Sequence, residues 1–373
     1  MTRLMRSIII GSAVFSLWTC QPLDPPLTSQ TSQTLVSYDL GARPRAIVTA
    51  DLNSDKIIDV AVANSGDGTV SILVGVGDGR LCPAVGSPFP AGQEPVDVDA
   101  ADLDRDGDID LVFANHETES ITVLLNNGHA HFTMAPGSPF RTGARPHIHG
   151  LATADFDGDG WIDIAVDSAD TKEIRILQGD RLGFGKIVAV GLDTMPYSRL
   201  GAANVTGDEN KDVLVPGHGD STVRVVHHKG TSLAPAAWKI QLTDKPWMVV
   251  GDDVNGDQRT DIIVIQSNAV GVWLARPDGF FPVQGSTFPI QGATEVATGD
   301  IDGDNLADLV VGPWDGDEVT VLTGRELIMR KVRTCERPIG LAIADLNGDH
   351  RGELLATCMN QNRLVIVTKP VGR

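Results

Sequence analysis

A nine-residue pattern recurs seven times along the chain, and its spacing constrains the fold more than any other feature. It is clearest as Asp155-Phe156-Asp157-Gly158-Asp159-Gly160-Trp161-Ile162-Asp163, with carboxylates at positions 1, 3, 5 and 9. The copies place these four positions at Asp51, Asn53, Asp55 and Asp59; Asp102, Asp104, Asp106 and Asp110; Asp155, Asp157, Asp159 and Asp163; Asn204, Thr206, Asp208 and Asp212; Asp253, Asn255, Asp257 and Asp261; Asp300, Asp302, Asp304 and Asp308; and Asp345, Asn347, Asp349 and Glu353. First positions lie 51, 53, 49, 49, 47 and 45 residues apart. A period of this length, with four short apolar runs per copy, predicts propeller blades rather than the helix pairs of a solenoid.

Each copy carries the same punctuation. In the first, a β-run over 45–50 leads into the loop, and a second run follows over 57–64. The polar turn Ser65-Gly66-Asp67-Gly68, a third run over 69–74, a Gly-rich turn and a weaker fourth run ending near Pro90 complete it. Alternation, β-branched enrichment and Gly/Asp turns predict strand–turn–strand throughout, and no segment sustains a helical period. The expected fold is all-β: a seven-bladed propeller over residues 34–373, with four-stranded antiparallel blades and the acidic loop joining each first and second strand. After the seventh loop only two runs remain, 353–357 and 363–368, whereas 35–40 stands unassigned ahead of the first blade. The N-terminal run is therefore expected to complete the last blade, which removes two exposed sheet edges at once.

The acidic loops set the charge argument. Alternating short oxygen-bearing side chains point to one centre, and like charges held that close are unfavourable without a cation. Oxygen-only donors favour a hard ion, Ca²⁺ before any transition metal. Asx-turns in hairpins account for one or two polar turns, but not for the four carboxylates that converge in copies two, three and six. Copy four carries only two carboxylates, so its site is expected to be weak or empty. The ligand positions hold 23 of the 49 acidic residues, and seven divalent ions would take the formal net charge from −19 to −5. Much of the acidity is then an internal metal requirement. The balance also disfavours a nucleic-acid partner, which needs a basic footprint.

The repeat resembles the FG-GAP/VCBS propellers, which are related to the integrin α-chain head. The resemblance is carried by Ala-Asp-Leu-Asp-Arg-Asp-Gly-Asp-Ile-Asp-Leu-Val (101–112) and Thr-Gly-Asp-Ile-Asp-Gly-Asp-Asn-Leu-Ala-Asp-Leu-Val-Val-Gly (298–312), and it covers about residues 35–369. It implies Ca²⁺ at positions 1, 3, 5 and 9 of each copy, up to seven ions, and ligand binding on the face opposite the loops.

That opposite face is formed by the second–third turns and the links between blades. Most links carry a proline seven residues before loop position 1, but Pro146 precedes Asp155 by nine and Pro196 precedes Asn204 by eight. Departures from a repeat are where function is grafted onto a scaffold. The extra residues bring in Arg145, His147, His149, Tyr197 and Arg199, with His116, His218 and Trp247 in neighbouring turns. This set suits an anionic or sugar-like ligand, with arginine for carboxylate or sulfate and aromatic rings for stacking. The expected role is a binding module for extracellular glycans or proteins, with no catalytic residue assigned. One alternative is a carbohydrate-active enzyme such as a polysaccharide lyase, with His147 or His149 together with Tyr197 removing the proton and Arg145 or Arg199 neutralising the uronate carboxylate. Others are a structural assembly subunit, or residues that line the channel and satisfy one another.

Residues 1–20 read as an export signal, with Arg3 and Arg6 ahead of an apolar run too short to span a bilayer comfortably. Leu17-Trp18-Thr19-Cys20 resembles a bacterial lipobox, so the readings are a protein lipidated at Cys20 in the cell envelope, a freely secreted one, or an uncleaved anchor. Residues 21–33 read as a flexible tether. Cys335 and Cys358, both expected in loops on one face of the fold, are the candidate disulfide pair, and without Cys20 the odd cysteine count leaves at least one thiol free.

Overall fold

The computed structural model describes residues 34–371, apart from positions 182, 209, 230 and 231. The expected export segment, tether and Cys20 lie outside the described residues. Seven antiparallel sheets follow one another along the chain, each with the loop copy between its first two strands. Blade one runs Pro44–Ala50, Asp59–Asn64, Thr69–Gly75 and Leu81–Pro83, with Phe89–Pro90 as a second piece of its outer edge. Prolines at 83, 88 and 90 explain that broken edge, because they cannot donate to a ladder. No described segment is α-helical, and His116–Thr118 forms a single 3-10 turn.

The core is not one centre but seven layers, each between adjacent blades. The second strands explain this. Asp59–Asn64, Asp110–Asn115, Asp163–Ser168, Asp212–Gly217, Asp261–Gln266 and Glu353–Cys358 are buried along their whole length, because neighbouring blades cover both faces. The second loop residue is apolar in every copy and anchors the loop in these layers: Leu52, Leu103, Phe156, Val254, Ile301 and Leu346 are all buried. Each loop is thus fastened by burial on one side of its acidic positions.

The ring closes as the chain order predicted. Thr34–Asp39 pairs antiparallel with Arg363–Thr368 over six positions, from Thr34↔Thr368 to Asp39↔Arg363. Tyr38 is buried between blades seven and one, and its hydroxyl accepts the Leu81 N–H of blade one at 3.0 Å. Cys335 and Cys358 form a disulfide that ties the link before blade seven to the end of that blade's second strand. Cys358 is a strand residue rather than the loop residue expected. No described cysteine is free, so the odd thiol expected from the count is not found.

Candidate functional site

Links and second–third turns share one face, held by backbone bonds such as Ser65 N–H to Arg43 O (3.0 Å), His116 N–H to Glu94 O (3.2 Å) and Asp170 N–H to Arg145 O (3.1 Å). The irregular spacing shows its structural meaning here. The inner strand has seven residues in blades one, two, five, six and seven. In blade three it is only Leu151–Ala154, and in blade four Gly201–Ala203. The extra residues therefore leave the sheet before the strand begins and lie across the top face.

These freed segments bring six aromatic rings into one ribbon across blades two to five. His116 and His147 stand 4.1 Å apart between ring centroids, His147 and His149 4.6 Å, and His149 and Tyr197 4.0 Å. Tyr197 continues to His218 at 5.1 Å and Trp247 at 5.9 Å, and the last two are 5.0 Å apart. Trp247 donates its ring N–H to Ser267 Oγ at 3.3 Å. Burial, reinforced by His116 and His149, holds His147 below the usual histidine range. Burial, then the Lys245 charge, does the same for His218, whose two ring nitrogens are buried without a hydrogen-bond partner. The ribbon is thus a strip of packed ring faces with polar ring edges.

Asp167 organises its centre. It is fully buried on the second strand of blade three, where the other blades have Ala63, Ala114, Pro216, Ile265, Gly312 and Thr357. Its Oδ1 accepts the His149 N–H at 2.8 Å, and its Oδ2 contacts His149 Nδ1 at 2.8 Å. The carboxylate replaces the ladder bonds that the peeled backbone has lost and fixes the imidazole. The residue was absent from the expected set. A charged residue within an otherwise apolar second strand was the signal that pointed to it.

Below the ribbon lies the central channel, a cavity of about 680 Å³ lined by inner-strand residues such as Val48, Asp99 and Thr153. Arg199 sits here and not in the ribbon. Its guanidinium pairs with Asp97 of blade two and Glu295 of blade six. Burial alone would lower its pKa, but the two carboxylates outweigh burial and raise it. Burial pushes Glu295 up to about 7, against the pull of Arg199. Arg199 therefore bridges three blades and is not presented to a ligand. Arg145 is exposed at the edge of the ribbon, and no carboxylate among the described residues pairs with it.

On the opposite face, the ninth-position carboxylates are fully buried staples. Asp163 accepts Phe156 N–H at 3.1 Å and Gly179 N–H at 2.9 Å. Asp59, Asp110, Asp261 and Asp308 repeat this pairing in their blades. Each oxygen has a lone pair left after its amide bond. Burial pushes Asp163 and Asp110 up to about 7, against those amide bonds. Asp102, Asp104 and Asp110 bring ligand oxygens within 4.8 Å of one another, as do Asp155, Asp157 and Asp163. Asp102 Oδ1 and Asp302 Oδ1 are buried without a hydrogen-bond partner. Orphaned oxygens in an oxygen-only set fit a hard divalent cation. In copy four, Asn204 donates to the Asp208 carbonyl and Thr206 Oγ1 donates to Asp212 Oδ1 at 3.0 Å, a third-to-ninth-position bond that Asn255 and Asn347 also make in copies five and seven; Asp208 and Asp212 lie with His227 within 4.8 Å of one another.

The sequence matches the FG-GAP-like repeat over residues 51–113, 102–166 and 253–311, which span loops one, two, three, five and six. The chain is an FG-GAP-repeat propeller. Loop four, outside those matches, is the copy with the fewest carboxylates. Two solved structures of BBS1N in complex with ARL6DN, one soaked with lead and one with mercury, share the fold. Each aligns with a TM-score of 0.62 over 90% of this chain and 95% of the other, at 17% and 16% identity. No curated protein sequence matches the chain.

The FG-GAP propeller thus brings together His116, His147, His149, Tyr197, His218 and Trp247, leaves Arg145 at their edge and withdraws Arg199 into the channel. Its staples also give a prediction that is independent of metal. In a chelating buffer, Asp163→Ala should cost about 2–6 kcal/mol, because two buried N–H groups lose their acceptor. Asp159→Ala, which removes an exposed loop carboxylate, should cost well under half of that. Urea melts of the two variants check this, and equal costs would show that Asp163 matters only through a cation.

Proposed function

We propose that this FG-GAP propeller is an exported, calcium-stabilised binding module whose ligand, an extracellular glycan or protein, lies along the ring ribbon. The carrying observation is the continuous contact of six rings contributed by four blades at the place where the repeat breaks. Such a strip offers flat apolar faces for stacking and ring nitrogens for hydrogen bonds, which suits a sugar ring or an extended peptide. The similar BBS1N structures hold a protein partner, which supports the general use of this fold as a scaffold for binding. A lyase needs an unpaired guanidinium beside its base to neutralise a uronate. Arg199 is committed to Asp97 and Glu295, so of the two arginines only the unpaired Arg145 could serve a lyase in this way.

Glycan-array and pull-down measurements with the secreted chain test this. Tyr197→Ala and Trp247→Ala should each weaken the captured ligand by about tenfold or more, as aromatic hot spots do. Capture that is indifferent to both substitutions would place the ligand elsewhere, and release of an unsaturated product would move the reading to a lyase.

A further inference from the structure

The first half of the ribbon differs chemically from the second. Between blades two and three three imidazoles meet, with a ligand nitrogen from each of His116, His147 and His149 within 4.8 Å of the others. Stacking alone does not require three histidines in one place, and three protonated imidazoles would repel one another. His149 is the most fully specified. Its Nδ1 faces Asp167 Oδ2 at 2.8 Å, and its Nε2 is buried without a hydrogen-bond partner. A buried ring nitrogen with no partner is costly unless something fills its lone-pair direction. A carboxylate behind one ring nitrogen fixes the tautomer that leaves the other free to ligate, and this is the arrangement seen behind metal-bound histidines.

We propose that His116, His147 and His149 form a three-imidazole site for a borderline divalent cation of the zinc class, with Asp167 as the carboxylate that orients His149. Nitrogen-only donors select Zn²⁺, Ni²⁺ or Cu²⁺ over Ca²⁺ and Mg²⁺, the reverse of the oxygen-only loops on the other face. The two faces therefore sort cations by donor chemistry. Charge balance favours the ion as well. Glu117 lies 3.3 Å and Glu94 4.0 Å from His116 Nδ1, and with Asp167 they surround three neutral ligands with negative charge. The site sits beside Tyr197, and three protein ligands leave a position open for a donor from outside. It does not rest on the ligand reading: a ribbon that captures nothing can still hold the ion, and the test contains no glycan.

The test is calorimetric titration of Zn²⁺ into the full chain held in millimolar Ca²⁺, so that the acidic loops are already engaged. One equivalent should bind saturably, and Co²⁺ should give visible absorption bands of nitrogen-ligated metal. His147→Ala should abolish both signals. His116→Gln, on a surface turn, should do the same and covers the case in which the first variant does not fold. Asp167→Asn should weaken the site by about 10–100-fold, as loss of an orienting partner does. His129→Ala and His131→Ala, which alter exposed residues elsewhere, should leave the isotherm unchanged. An isotherm without a one-equivalent step overturns the proposal. So does a step that survives His147→Ala and His116→Gln, since zinc would then be held by the acidic loops.

Discussion

Chelation of divalent cations is expected to lower the melting temperature by on the order of 10 °C or more. Six loops carry at least three carboxylates each at their ligand positions, and loops two and six hold a buried oxygen with no partner. A site filled at ten times its Kd contributes roughly 1.4 kcal/mol by mass action, which is the regime of extracellular-type sites at millimolar Ca²⁺. Six such sites give about 8 kcal/mol, comparable with the whole stability of a typical domain. The conversion to temperature is a degree or two per kcal/mol for a chain of this size, by extension of roughly 2–4 °C for somewhat smaller domains. Thermal melts in Ca²⁺ and in EDTA are the measurement. Mg²⁺ should restore less than Ca²⁺, because its strict octahedral geometry and tightly held waters suit these loops poorly. Substituting Asp208 should matter least, since loop four carries the fewest carboxylates at its ligand positions. Coincident melts with and without EDTA would leave the loops as Asx-turn hairpins stapled by amide bonds alone.

Deleting residues 34–40 is expected to have an effect of similar size, by a different route. The strand fills six ladder positions against Arg363–Thr368 and places Tyr38 between blades seven and one. Val36 and Leu40 pack partly against the same cluster. Burying large apolar side chains contributes about 1.5–3 kcal/mol each, so Tyr38, Val36 and Leu40 together represent about 5 kcal/mol or more. The deletion also leaves an unpaired edge beside a core built of neighbour-to-neighbour layers, where one weakened interface opens the ring. We expect loss of cooperative unfolding, or a melting temperature lowered by about 5–10 °C on the same conversion. An unchanged melt would show that six complete blades hold the ring without closure.

The repeat made the fold legible because every level of the sequence agreed. Loop spacing, apolar runs, Gly/Asp turns and the unassigned run at 35–40 all pointed to the same seven blades. The Cys335–Cys358 pair was legible from the topology, although Cys358 proved to be a strand residue. The ribbon was legible only in outline. Two and one extra residues after Pro146 and Pro196 marked where it forms, because an insertion in a β-ladder must either bulge or leave the sheet. The count could not say which way each side chain turns. Residues two apart on an extended segment lie on one side only while the segment remains a regular strand. His147 and His149 joined the ribbon, whereas Tyr197 and Arg199, with the same spacing, parted.

The sequence by itself determined the blade number, the position of the acidic loops, the closure and the face on which the repeat departs from itself, since these follow from local periodicity and chain order. The tertiary structure decided three other things. It committed Arg199 to Asp97 and Glu295, residues 102 and 96 positions away, across the channel. It set Asp167 behind His149. It gathered His116 from the preceding blade against His147 and His149. Each depends on which residues of different blades face the same space once the ring has closed. No period along the chain encodes that, because it is fixed by the radial packing of the blades.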